Sequence, residues 1–97
     1  MKLRITSEDL RLRLAPEDTA SIAAGERVRE TLRLPGGDVH VELLCEGREI
    51  GAALVGDTVC VRIPVAQATR WASGDEVTLT AELPNSRIVI EKDLRPS

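Results

Sequence analysis

Lys2, Arg4, Arg11 and Arg13 are the side chains best placed to hold something negatively charged. Each pair is spaced by two residues, and a two-residue spacing puts both members on one face of a strand. Arg62, inside Val61-Arg62-Ile63, repeats the pattern later in the chain. Arg4, Arg11, Arg13 and Arg62 are therefore expected on the outward face of two neighbouring strands. Such a row offers planar, charge-assisted contacts to a phosphate or a carboxylate. The plainer expectation is a solvated face paired with nearby Glu8, Asp9 or Glu17, since exposed ion pairs are common and contribute little.

Other reactive residues are few. His40 is the single histidine, outward by alternation and beside Glu42; no second ligand or nucleophile lies near it in sequence. Cys45 and Cys60 form no Cys-x-x-Cys motif, and a zinc site needs four ligands where His40 and the two cysteines supply three. Two free thiols in a reducing compartment are expected. Glu17-Asp18 and Asp75-Glu76 fit a helix start and a loop after a helix better than acid–base pairs. No phosphate loop, metal spacing or catalytic triad order is present, so the expectation is no enzyme, no cofactor and no metal.

Composition narrows the classes further. The chain has 97 residues, 42% hydrophobic and 30% charged, with a formal net charge of −3. That suits one packed domain over residues 1–97. The acidic balance argues mildly against nucleic acid, whose binders rely on phosphate neutralisation. Trp71 is the only aromatic residue, which removes any stacking platform for single strands. It is expected to plug the core. No apolar run reaches the length of a membrane span, and Met1-Lys2-Leu3-Arg4 does not resemble a signal segment. A cytoplasmic chain that makes no membrane contact is expected.

The elements that position these residues follow from alternation and punctuation. Lys2–Thr6 and Leu10–Leu14 read as strands, the latter with leucines on one face and arginines on the other. Pro16-Glu17-Asp18 opens a helix that Gly25 ends. Arg27–Leu34 is a strand with Val28, Leu32 and Leu34 on one face. Pro35-Gly36-Gly37-Asp38 turns into a strand over Val39–Cys45. The second half follows the same order. Strands are expected at Ile50–Val55 and Val59–Ile63, then a helix from Pro64 or Val65 to Ser73, stopped by Gly74. Strands from Val77 to Leu83 and at Ile88–Ile90 follow, and the tail from Asp93 is expected to fray.

A gapless shift of 49 positions superimposes the halves, residues 1–48 on residues 50–97. Leu10, Leu12 and Leu14 fall on Val59, Val61 and Ile63, Gly25 on Gly74, and Pro35 on Pro84. Val39 and Val41 fall on Ile88 and Ile90, Glu42 on Glu91, and Ile22 on Trp71. Those positions set strand register and chain reversal. Each half alone has little to bury. The expected fold is therefore α+β and mainly β: two β-β-α-β-β repeats sharing one pseudo-two-fold, barrel-like core.

Gly56-Asp57-Thr58-Val59-Cys60-Val61-Arg62-Ile63-Pro64, a short helix and Gly74-Asp75-Glu76-Val77 together resemble the swapped-hairpin AbrB/MazE-like family. Ser7–Leu14 and Gly25-Glu26-Arg27-Val28 resemble it more weakly. The resemblance implies interleaved hairpins, here within one chain, and DNA contacts from basic groups on the first hairpin. By position those groups are Lys2, Arg4, Arg11 and Arg13. Their second-half counterparts are Gly51, Ala53, Cys60 and Arg62, of which only Arg62 is charged. A two-fold DNA reader needs matching contacts on both sides. Met1–Ile5 with Leu10–Leu14 also looks like a small bacterial family of uncharacterised proteins. The expected function is an interaction module that binds a protein partner or another copy of itself, as a monomer or weak homodimer. The alternative is a regulator or antitoxin-like protein that binds duplex DNA through the Arg-rich hairpin.

Overall fold

The computed structural model describes residues 1–94; the expectation for the tail falls partly on residues 95–97, outside the described residues. The elements are β1 (Lys2–Ile5), β2 (Asp9–Leu14), α1 (Pro16–Ala23), β3 (Val28–Leu34) and β4 (Gly37–Cys45), then β5 (Gly51–Val55), β6 (Thr58–Ile63), α2 (Val65–Ser73), β7 (Thr78–Glu82) and β8 (Arg87–Lys92). The fold is α+β and mainly β.

Local chemistry explains the boundaries. Pro16 occupies the first turn of α1, and the Asp18 carboxylate accepts the Ala15 N–H at 3.2 Å. Acids there also complement the helix dipole. At the other end Gly25 adopts φ +79°. The Glu26 and Gly25 N–H groups return to the Ser21 and Ile22 carbonyls at 2.9 and 3.0 Å. This paired return satisfies the last carbonyls of the helix and needs a residue without a Cβ. Gly74 stops α2 differently: a Cβ there would lie 2.8 Å from the Arg70 carbonyl oxygen.

The strands form two four-stranded sheets, ordered β1-β2-β8-β7 and β3-β4-β6-β5. Each sheet joins an early hairpin to a late one. The hairpins pair antiparallel, while β2 runs parallel to β8 and β4 parallel to β6. The helices α1 and α2 pack on each other. One buried cluster draws on both sheets and both helices, including Leu12, Ile22, Leu43, Ile63, Trp71 and Ile90. Trp71 is 1% exposed, in the core position expected for it.

The barrel is not seen. Among the described residues the two sheets stay separate, leaving β1, β7, β3 and β5 as edges. Both β1 and β3 carry outward arginines, and charged edges favour water over a further strand.

The hairpins keep the same register under the 49-residue shift. Lys2 pairs with Arg13 as Gly51 pairs with Arg62, and Arg29 pairs with Glu42 as Thr78 pairs with Glu91. The parallel joints do not. In one sheet Leu12 lies beside Ile90, whereas in the other Val61 lies beside Leu43, whose counterpart is Lys92. The β4–β6 joint has slid by two residues. An even slide preserves which side chains face inward, so alternation survives while burial shifts. Gly37, Asp38 and Val39 run past β6, whose pairing to β4 begins at His40 and Thr58. Val28, Leu32 and Leu34 share one face as expected, but only Val28 is buried there. Leu32, Leu34 and Val39 stand 59, 47 and 40% exposed.

Candidate functional site

The hairpin β1–β2 sets cations against cations. Lys2 lies opposite Arg13, and Arg4 opposite Arg11. These four line a shallow depression of ≈ 190 Å³. Like charges directly across a strand pair repel, and the neighbouring strand supplies the relief. Glu91 of β8 lies beside Arg13 in the parallel register. Its carboxylate accepts the Arg13 Nε–H at 3.0 Å, with Arg13 Nη2 also 3.0 Å away. It accepts Arg11 Nη1–H at 3.4 Å. Among the described residues Lys2 and Arg4 have no ion-pair partner.

Two expectations about this face are corrected. Arg62 does not join the row. It sits on β6 in the other sheet, 3.4 Å from Glu46, because the early and late hairpins are shared between sheets. The partner of Arg11 and Arg13 is not Glu8, Asp9 or Glu17 but Glu91. Asp9 faces Arg87 at 3.6 Å.

The second sheet carries a matching clamp. Glu42 of β4 is 3.0 Å from Arg29 and 3.9 Å from Arg27. The sequence signal for both glutamates is their coincidence under the 49-residue shift. Their arginines arrive from different strands, so the clamp is not legible from the shift alone.

His40 Nδ1 lies 2.8 Å from the Thr31 hydroxyl, and its Nε2 is 3.7 Å from Asp57. Cys45 and Cys60 are free. Burial pushes the Cys45 thiol above its ordinary value, away from the thiolate that nucleophilic chemistry needs. At Met1 burial would lower the ammonium, but the hydrogen bonds it donates to the Asp18 and Glu30 carboxylates outweigh it and the value rises. A wider depression of ≈ 500 Å³ is lined by Glu8, Asp9, Glu82 and Arg87, among others. Among the described residues no cluster of three or more His, Cys, Asp or Glu could hold a metal ion. No helix of the described residues is long and apolar enough to cross a membrane.

The fold and these faces define a class: a mainly β, α+β domain of two sheets, each with an arginine-clamped glutamate on its outer face. The chain belongs to DUF7009, a family of unknown function, which it matches over residues 1–95. That membership agrees with the likeness of its opening strands to an uncharacterised family. No curated protein matches the chain.

Proposed function

We propose that this chain is a non-enzymatic, cytoplasmic interaction module that binds a protein partner through the overhanging end of β3–β4. The observation that carries the reading is the two-residue slide. It leaves Leu32, Leu34 and Val39 on one face with no strand of β6 beside them. Three large apolar side chains gathered at one strand end are a recognisable interaction feature, unlike the same residues scattered singly. The fold belonging to this proposal is a duplicated half, arranged about a pseudo-two-fold axis with hairpins swapped as in the AbrB/MazE-like family. The matched hairpin registers support it. The free thiols support a reducing compartment.

Duplex DNA is the alternative, favoured by Lys2 and Arg4. Against it, Glu91 already occupies Arg11 and Arg13, and the second hairpin offers only Arg62. Electrostatic affinity for DNA is greatest at low salt. A mobility-shift assay with mixed-sequence duplex DNA at low salt is expected to give no complex. A shift abolished by Arg11→Ala with Arg13→Ala would replace the protein-binding reading by the DNA one. The protein-binding reading has its own measurement. A photo-crosslinking amino acid placed at Leu34 in cells should trap one discrete protein adduct, and the same group at Thr31 on the opposite face should not. Absence of an adduct from Leu34, or equal adducts from both faces, would sink the reading.

A further inference from the structure

We infer that the β5 edge pairs with the β5 edge of a second copy of this chain, joining two four-stranded sheets into one of eight strands. The inference goes beyond the protein-binding reading, since β5 and β3 are opposite edges of the same sheet.

Among the described residues four edges are open, and three of them are guarded. β1 carries Lys2 and Arg4, β3 carries Arg29, Glu30 and Arg33, and β7 carries Glu82. Charge on an edge is a standard defence against strand addition. β5 reads Gly51-Ala52-Ala53-Leu54-Val55, with no charge and no proline. Leu54 and Val55 are 72 and 58% exposed. Under the 49-residue shift Gly51 and Ala53 stand where the first hairpin has Lys2 and Arg4. The positions that lose the cations of a DNA face thereby become an unguarded edge.

The free backbone groups can be assigned. Val55 pairs with Thr58 around the two-residue turn Gly56-Asp57, where Gly56 has φ +60°. In a two-residue hairpin that closing pair is hydrogen-bonded, and bonded pairs alternate with non-bonded ones. Ala53 therefore bonds inward to Cys60. Ala52 and Leu54 direct their N–H and C=O groups away from β6.

A second copy is the occupant that fits, because this edge is its own complement. A two-fold pairing keeps inner side chains with inner side chains only when residues of the same parity meet. With Ala52 on the axis, Ala52 meets Ala52 of the second copy and Leu54 meets Ile50 of the second copy, apolar against apolar. Arg48, just before the strand, is then brought level with Gly56 and next to Asp57 of the second copy. Shifting the axis to Ala53 would set Glu49 against Asp57 of the second copy, two like charges. The flanks thus select both the antiparallel direction and the register.

Sedimentation of the purified chain from micromolar to millimolar concentration tests this. The wild type should shift from monomer to dimer. Leu54→Pro removes an outward N–H and leaves the β6 ladder intact, since proline is tolerated on an edge facing solvent. It should weaken association at least about tenfold, the loss expected when one pairing hydrogen bond per copy is removed and the edge blocked. Ala53→Lys, which adds a guard charge, should do the same, whereas Thr80→Lys on the β7 edge should not. Amide exchange at Ala52 and Leu54 should slow as concentration rises, with Ala53 unchanged. A wild type that stays monomeric overturns the inference, as does a dimer that survives both β5 variants or is lost equally in Thr80→Lys. Because only the purified chain is used, failure here leaves the Leu34 cross-linking result to decide the wider reading.

Discussion

Trp71→Ala should lower the unfolding free energy by about 3–5 kcal/mol, the range for deleting a buried large aromatic side chain. Trp71 sits on α2 with 1% of its surface exposed, inside the cluster that both sheets share. It also anchors the end of its helix. Lys92 from β8 places its ammonium 5.1 Å from the ring centre and donates to the Gly74 carbonyl at 2.8 Å. Removing the ring takes away the packing and the cation–π contact together. Trp71→Phe should behave differently. The Trp71 Nε1–H is buried without a hydrogen-bond partner among the described residues, and an unsatisfied buried donor costs about 1–3 kcal/mol. Phenylalanine removes that cost while losing some volume, so a net change within about 1 kcal/mol is expected. Both variants abolish tryptophan fluorescence, so urea unfolding followed by far-UV circular dichroism is the measurement. A cost below about 1 kcal/mol for Trp71→Ala would mean that the ring is not a core element.

The same residue shows what local pattern can reveal. Trp71 falls on Ile22 under the 49-residue shift, and both are buried because both sit on the inward face of a short helix ended by glycine. The alternation Leu10, Leu12, Leu14 against Arg11 and Arg13 likewise places β2 and its two faces correctly, since side-chain direction in a strand has a period of two. The opposition of Lys2 and Arg4 to Arg13 and Arg11 follows from the same rule. What pattern cannot supply is the neighbour across a parallel joint. Glu91 is 80 positions from Arg11, and no turn connects their strands. Arg62 shares the local sequence context of Arg13, yet its strand β6 belongs to the other sheet. A joint shifted by two residues satisfies the same inward–outward pattern as an unshifted one, so packing alone decides between them. The exposure of Leu32, Leu34 and Val39, on which the protein-binding proposal depends, is set at that joint.

A pair of matched substitutions separates the slid joint from an unslid one. Val39 and Ile88 are counterparts under the shift, and an unslid second sheet would bury them alike. Here Ile88 is 2% exposed, beside Leu10 of β2 and opposite Ala81 of β7. Val39 is 40% exposed and opposite Leu32, with no β6 residue beside it. Ile88→Ala leaves a cavity under a packed sheet and should cost about 2–5 kcal/mol. Val39→Ala removes two methyl groups that water already reaches and should cost less than about 1 kcal/mol. The contrast is large against the roughly 5–15 kcal/mol that holds a small domain folded. Urea midpoints at equal m-values read it directly. Equal losses at the two positions would place Val39 under β6, remove the overhang and withdraw the apolar face proposed to receive a partner. The predicted inequality instead makes Val39→Ala a variant that leaves the fold intact while trimming that face, so a weakened Leu34 adduct in this background would report on binding rather than on stability.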